Sequence, residues 1–319
     1  MIKKIAVLTS GGDAPGMNAA IRAVIRAGLF NGFEMHIIYN GYKGLVDGDI
    51  HQVSKDFTAD IINRGGTIAK SARLPEFKNP EVVDQAIERL RDYDIDALVG
   101  IGGDGTYRGL LDLAKKGFPV VGIPASIDND VASSDYTIGF MTALGTICDC
   151  IDKIKDTSSS HQRCSIIEVM GRHCGDLAIY SSIAEGAELC LTAEHPYPEE
   201  RIFKKLRKMK AQKKSHAIVV VSENLLDVWD LSKKIEDNTG FKTNVEVLGH
   251  LQRGGAPCAF DRILASRMGD KAIECLMKNE TSVVIASRQN DIVAVNIDEA
   301  LAMPRDTHED LLRLVKELQ

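Results

Sequence analysis

The chain lacks a surplus of basic residues, a Cys-x-x-Cys pair, a long apolar run and a low-complexity linker, and each absence removes a class of protein. Lys and Arg number 39 against 45 Asp and Glu, a formal net charge of −6 with no long basic run to offset it, so no nucleic-acid surface is expected. Anionic ligands must then be held by local arginines. The 7 cysteines are scattered without zinc spacing, and the nearest pair, Cys148 and Cys150, falls in a helical stretch. They read as small apolar residues in a reducing cytosol. No stretch approaches the length of a membrane span, and Ile2-Lys3-Lys4-Ile5-Ala6-Val7-Leu8 reads as a charged strand, not a leader. A cytoplasmic protein is expected, with no membrane partner.

What is present describes a large α/β protein. At 319 residues with 44% hydrophobic and 26% charged content, the chain exceeds the usual size of a single core, so two domains are expected. Two glycine- and acid-rich motifs stand out. Ala97-Leu98-Val99-Gly100 runs into Ile101-Gly102-Gly103-Asp104-Gly105-Thr106, a strand ending in glycines before a helix, where backbone N–H groups can approach phosphate and Asp104 suits a magnesium ion. Pro119-Val120-Val121-Gly122-Ile123 leads to Pro124-Ala125-Ser126-Ile127-Asp128-Asn129-Asp130. Successive parallel strands place their carboxyl ends on one edge, so both motifs should face one crevice.

Read in order, the pattern alternates. A strand to Thr9 meets Gly11-Gly12-Asp13-Ala14-Pro15-Gly16 and a helix from Asn18, a second phosphate cradle; a strand over 33–39 is followed by Asn40-Gly41-Tyr42-Lys43-Gly44-Leu45, expected as a loop with Tyr42 a candidate to lie against a base. The stretch around Gly65-Gly66-Thr67 and Ser71-Ala72-Arg73-Leu74 is expected to be irregular. Asn79 caps a helix to Asp92, and a long helix runs over 139–160. Further strands are expected at 164–169, 189–192, 217–221 and 245–248, with Met170-Gly171-Arg172-His173-Cys174-Gly175 opening a helix and other helices at 199–213, 228–238, 260–277 and 307–318.

These motifs, with Leu8-Thr9-Ser10-Gly11-Gly12-Asp13, Glu168-Val169-Met170-Gly171-Arg172 and Gly249-His250-Leu251-Gln252-Arg253-Gly254-Gly255, resemble bacterial ATP-dependent 6-phosphofructokinases from about Met1 to Met268. The turn Gly-Gly-Asp-Gly-Thr alone also resembles NAD and lipid kinases. The resemblance implies two Rossmann-like α/β/α lobes with mostly parallel sheets and the active site in the cleft between them. An ATP-binding lobe would hold residues 1–138 and about 251–303, and a sugar-phosphate lobe 139–250 and about 304–319. The implied reaction phosphorylates fructose 6-phosphate at its 1-hydroxyl with ATP and Mg²⁺, in a homotetramer. Gly12, Arg73, Leu74, Gly103, Asp104, Gly105 and Thr106 would bind ATP, with Asp104 on the metal. Asp128 would be general base, helped by Asp130, and Arg172 and Arg73 charged donors. Ser126, Ile127, Asp128, Arg163, Met170, Gly171, Arg172, Glu223, Asn244, His250, Leu251, Gln252 and Arg253 would bind the sugar phosphate, His250 and Arg253 gripping the 6-phosphate and Arg163 reaching in from a neighbour.

The chain also departs from the family pattern. Asn244 stands where the family has an arginine for the 6-phosphate, Ala125 replaces a common glycine, and Ser126 replaces a more frequent threonine. At the implied effector site, which takes ADP or phosphoenolpyruvate, Arg22, Arg26, Asp60, Glu188 and Lys214 match. Lys55 and Lys155 replace arginines there, Gln212 a lysine and Glu185 a glycine, so weak allosteric control is expected. Two alternatives stay open. A pyrophosphate-dependent relative would carry a second aspartate at position 105 and a lysine in the second motif, where this chain has Gly105 and Ala125. A non-catalytic sugar-phosphate sensor would explain Asn244, but not the retained Asp104, Asp128, Asp130, Arg73 and Arg172.

Overall fold

The structure, a computed structural model, describes residues 2–318. It divides into two compact units, one of Met1–Ile127, Val131–Thr142 and Arg253–Arg305, the other of Asp128–Asp130, Ala143–Gln252 and Asp306–Gln319. The first unit begins β1 (Lys4–Thr9), α1 (Met17–Phe30), β2 (Glu34–Ile38), α2 (Gly41–Asp47), β3 (Ile50–Gln52), α3 (Pro80–Asp92), β4 (Ala97–Gly102), α4 (Asp104–Lys115), β5 (Val120–Ser126) and β6 (Ile138–Gly139). Helix α5 (Phe140–His161) leads into β7 (Cys164–Val169), α6 (Asp176–Glu185), β8 (Leu189–Leu191), α7 (Glu199–Ala211), β9 (Ala217–Ser222), α8 (Val228–Thr239) and β10 (Thr243–Val247) of the second. The first unit then takes α9 (Ala259–Met277), β11 (Val283–Arg288), β12 (Asp291–Asn296) and α10 (Ile297–Ala302), and the second takes α11 (Glu309–Leu318).

The first unit's sheet runs β12-β11-β5-β4-β1-β2-β3, with β6 paired to β5; only β2/β3 and β11/β12 are antiparallel. The second unit's sheet, β10-β7-β9-β8, is wholly parallel. Both follow from strand composition. Every residue of β4 and of β9 is buried, as expected where helices cover both faces of a parallel sheet. Helix α3 buries Val83, Ala86, Ile87 and Leu90 at helical spacing, the stripe read from the sequence. Helix α1 packs along α9, where a Cβ on Gly269 would sit 2.5 Å from the Cβ of Ala23.

Three local expectations change. Residues 41–47 form a helix, not a loop: Asn40 and Gly41 turn the chain through φ near 58°, and Tyr42 is 5% exposed within the first unit's core. Asn79 precedes α3 without a side-chain capping bond. Residues 170–175 are an irregular turn, and the helix they were expected to open starts at Asp176. Strands β3, β11 and β12 and helix α10 were not anticipated, although the run Val283-Val284-Ile285-Ala286 carries a strand signal.

One buried carboxylate joins α9 to the start of α5. Asp261, with no exposed surface, accepts from the Gly139 N–H (3.0 Å), the Thr142 N–H (2.8 Å) and the Thr142 hydroxyl (2.5 Å). Burial raises its pKa against the pull of those donors. Asp261→Ala strands the donors in the interior and should cost about 2–4 kcal/mol. Urea unfolding checks this, with a loss below about 0.5 kcal/mol refuting it.

Candidate active site

Strands β1, β4 and β5 run parallel with Thr9 beside Ile101 and Gly102 beside Pro124, so the chain leaves all three at one sheet edge. The first two exits are bonded together: the Ser10 N–H donates to the Ile101 carbonyl (3.0 Å) and the Thr106 hydroxyl to the Ser10 carbonyl (3.1 Å). A Cβ on Gly102 would lie 2.2 Å from Thr106 Oγ1 and 2.4 Å from Ser10 O, so only glycine fits. Beyond it, a Cβ on Gly103 or Gly105 would meet nothing within 4 Å. That open space faces the start of α4, whose first N–H groups lack intrahelical partners and suit an anion. Asp104 begins that helix.

A cavity of about 330 Å³ adjoins this turn. Arg73, Leu74, Gly105 and Thr106 line it, as do Ser10, Gly11, Pro75, Phe77, Lys78, Arg108, Gly109 and Asp112. Tyr42 is also in its wall, fixed by an O–H bond to the Thr106 carbonyl (2.6 Å) and stacked on Phe77 with centroids 4.1 Å apart. The loop carrying Arg73 is tied down at two places. Asn18 Nδ2 donates to the Arg64 and Gly65 carbonyls while its Oδ1 accepts from the Ile68 N–H (2.7 Å), and the Ser71 hydroxyl donates to the Gly11 carbonyl (2.6 Å). Arg253 joins the same turn: its Nη1 donates to the Asp13 carbonyl (3.0 Å), and a Cβ on Gly12 would meet it at 2.7 Å. Arg253, expected with His250 on a 6-phosphate, thus rests one guanidinium nitrogen on the Gly12 turn.

In the second unit the Asp128–Asp130 turn is pinned at its centre. Asn129, at φ 55°, donates from Nδ2 to Asp176 (2.9 Å), and the same carboxylate oxygen meets His308 Nε2 (3.3 Å). Asp128 is 7% exposed, whereas Ile127 is buried to 1%, so the isoleucine can offer a ligand little but backbone. A second turn holds Arg172, which is exposed. Gly171 sits at φ 136°, where a Cβ would strike the Cys174 carbonyl at 2.3 Å, and the Arg172 N–H donates to Glu223 (2.9 Å). Gln252 is fully buried, its Oε1 taking the Met170 N–H (3.0 Å) and its Nε2 giving to the Gly249 carbonyl (2.9 Å). Its amide holds the two turns instead of facing a ligand. His250 and Leu251 are exposed, and Arg163 Nη1 reaches Asn244 Oδ1 at 3.4 Å.

At the effector positions, Arg26 Nε donates to the Thr58 hydroxyl (2.8 Å), and burial first, then Arg26, lowers the pKa of the Arg22 guanidinium. Lys155 is paired with Glu185, and Lys214 with Glu188 at 2.5 Å.

Comparison with known proteins decides the family. The phosphofructokinase family model matches residues 4–276. The chain is 52% identical over 319 residues to an ATP-dependent 6-phosphofructokinase of Photobacterium profundum and 50% to one of Teredinibacter turnerae, in each case across 100% of both chains. This chain belongs to the phosphofructokinase family. Among solved structures, phosphofructokinase from Saccharomyces cerevisiae superposes with a TM-score of 0.89 at 33% identity over 99% of this chain; the chain spans only 47% of the yeast one. A pyrophosphate-dependent phosphofructokinase from Marinobacter aquaeolei gives 0.87 at 21% identity, over 99% of this chain and 91% of its own, which shows the fold alone.

A phosphofructokinase is a kinase that uses a divalent metal. Among the described residues, no three His, Cys, Asp or Glu side chains gather to hold an ion by themselves. The Asp104 carboxylate beside open backbone still fits, because magnesium commonly takes one or two carboxylates and fills its shell with water and phosphate. Sequence reasoning missed Asp176 and His308 behind the Asp128 turn, and Phe77, Lys78 and Arg108 in the cavity wall. A buried aspartate opening α6 carries no ligand motif, so its signal emerges only in three dimensions.

The Asp176 hydrogen bond raises the His308 pKa above its ordinary value, with Asp306 and Asp310 adding to it against burial. A raised folded pKa means the contact stabilises below the ordinary histidine pKa and loses its effect as pH climbs through the folded value. His308→Gln should therefore destabilise by roughly 0.5–1.5 kcal/mol near pH 5.5 and by little near pH 9. Urea midpoints of both proteins across that range measure it; a gap independent of pH rejects the assignment.

Proposed function

We propose that the chain transfers the γ-phosphoryl group of ATP to the 1-hydroxyl of D-fructose 6-phosphate, giving fructose 1,6-bisphosphate and ADP in glycolysis. The observation that carries this reading is the cavity of about 330 Å³, walled by Tyr42, Leu74 and Phe77 beside the Gly103–Thr106 turn. A nucleoside fits beside a phosphate turn there, and pyrophosphate has no group to fill it. The names of the full-length relatives agree with ATP as donor.

Backbone N–H groups around Gly12, Gly103 and Gly105, with Thr106, would hold the β- and γ-phosphates. Mg²⁺ on Asp104 would neutralise charge on the transferring group. Asp128 takes the proton from the 1-hydroxyl as that oxygen bonds to the γ-phosphorus and the bond to the β,γ-bridging oxygen breaks, leaving ADP. The Asn129–Asp176 bond keeps this turn oriented. Arg73 and Arg172 supply fixed charge to the moving phosphoryl oxygens. Ser126, Asp130, the Met170–Arg172 turn and Glu223 position the sugar; His250 and Arg163, the latter reaching a neighbouring subunit of a homotetramer, bind its 6-phosphate. Arg253 joins His250 on the 6-phosphate from its place beside the Gly12 turn. The enzyme works in the cytoplasm. Its allosteric control is weak, because Lys155, in place of an arginine, already faces the added carboxylate of Glu185, which an incoming phosphate would have to displace.

A coupled assay with fructose 6-phosphate, offering ATP and pyrophosphate separately, tests the reading. Turnover with ATP alone is expected; turnover with pyrophosphate changes the donor, and none with either leaves a sensor. Asp128→Ser should lower kcat by about 10²–10⁴ with little change in sugar affinity, since only the transition state needs the base. A loss under about tenfold in steady-state kinetics moves the base elsewhere. Asn244→Arg adds a charge beside Arg163 and should lower the fructose 6-phosphate KM by roughly tenfold to a hundredfold with kcat steady, because the 6-phosphate is held alike in ground and transition states. An unchanged KM, with assembly verified, means that position 244 does not meet the sugar.

A further inference from the structure

We propose that Asp112 selects the base of the phosphoryl donor, accepting a hydrogen bond from the 6-amino group of adenine and disfavouring a 6-oxo purine; this rests on reading the cavity of about 330 Å³ as the nucleotide site. Helical spacing supplies the frame. Gly105, Arg108, Gly109 and Asp112 stand at i, i+3, i+4 and i+7 on α4, so they share one face, and all four line that cavity. The phosphate turn lies at the start of this face. Asp112 lies two turns further on, about 11 Å along the helix axis, which is roughly the reach of a nucleoside from its 5′-phosphate to the far edge of its base.

Between those ends the wall packs but does not discriminate. A Cβ on Gly109 would lie 2.5 Å from Cζ of Tyr42, so the tyrosine ring rests on the backbone of α4, and its hydroxyl is already bonded to the Thr106 carbonyl. Tyr42, Phe77 and Leu74 offer apolar surface to any base. Selection is left to the charged side chains around them, Lys78, Arg108 and Asp112. Lys78 and Arg108 are exposed and donate only, whereas Asp112 is half-buried and is the carboxylate of this wall. Among the described residues no hydrogen bond or ion pair holds Asp112, not even with Arg108 at i−4. Burial raises its pKa against the pull of Lys115, and its charge adds to the rise that burial imposes on Tyr42, as expected of a carboxylate beside that ring. A half-buried carboxylate without a donor is costly, and the adenine amino group supplies one. An ionised carboxylate accepts and cannot donate, so a 6-oxo base in the same pose sets lone pairs against lone pairs. Neither the sequence motifs nor the family resemblance assigns a role to Asp112.

The test is steady-state kinetics of the full-length protein with saturating fructose 6-phosphate at about pH 8, well above the ordinary carboxylate range, with ATP or inosine triphosphate varied. Wild type, Asp112→Asn and Asp112→Ala are compared. In the wild type the KM for inosine triphosphate should exceed that for ATP by about tenfold or more with kcat alike, because the base is remote from the transferred phosphoryl group. Asp112→Asn presents an amide that can donate to the 6-oxo group, so its two KM values should come within about threefold or reverse, and Asp112→Ala should bring them within about threefold by removing both effects. A wild-type preference that both variants retain overturns the inference and leaves the kinase reading intact. So does inosine triphosphate used by the wild type as well as ATP, its N1–H standing in for the amino group. Absence of turnover with either nucleotide defeats the kinase reading and this inference with it.

Discussion

The close approach of Ser10 to Gly102 is the constraint on which the phosphate side of this molecule depends. The carbonyl of Ser10 takes the Thr106 hydroxyl, its N–H reaches Ile101, and no side chain at position 102 could be accommodated between them. Two strand exits that are ninety residues apart in the chain thereby become one surface. Everything added to that surface is anchored through backbone: Tyr42 through the Thr106 carbonyl, Ser71 through Gly11, Arg253 through Asp13. Carbonyls are obligatory acceptors, so such anchors hold turns whose own side chains must stay open for a ligand.

The second unit solves the same problem with buried side chains. Gln252 and Asp176 are almost without exposed surface, and each joins segments far apart in sequence, Gln252 the turns at Met170 and Gly249, Asp176 the turn at Asn129 and the residue before α11. A buried amide or carboxylate left unbonded is costly, so these groups hold their partners in a narrow set of positions. Arg172 and His250 project from turns made rigid in this way. Their side chains are exposed while the backbone beneath them is fixed.

Electrostatics divides the second unit's cations into two kinds. Lys155 and Lys214 are matched to Glu185 and Glu188, so a phosphate must compete with a carboxylate already in place. Among the described residues, Arg201, Lys204 and Lys208 on α7 have no such carboxylate partner. Both arrangements sit on a chain of overall negative charge, so attraction for anions arises from local placement and not from the net field.

Much of this was legible in the sequence because it lies in short, contiguous patterns. Alternating apolar runs and helical stripes determined the α/β class and most elements, and strands ending in glycine and aspartate marked Gly12, Gly103, Asp104 and Asp128, since strand period and turn chemistry are local properties. Tertiary structure alone decided what distant residues do to one another. Tyr42 looked like a free loop ring until α2 formed and buried it against Phe77; that the Gln252 amide bonds to Met170 and Gly249, and that the Arg253 guanidinium reaches Asp13, is visible only in three dimensions. Asp176 and His308 had no motif at all. Hydrogen bonds between segments a hundred residues apart depend on how sheets and turns are brought together, and one chain's order of residues does not state that geometry.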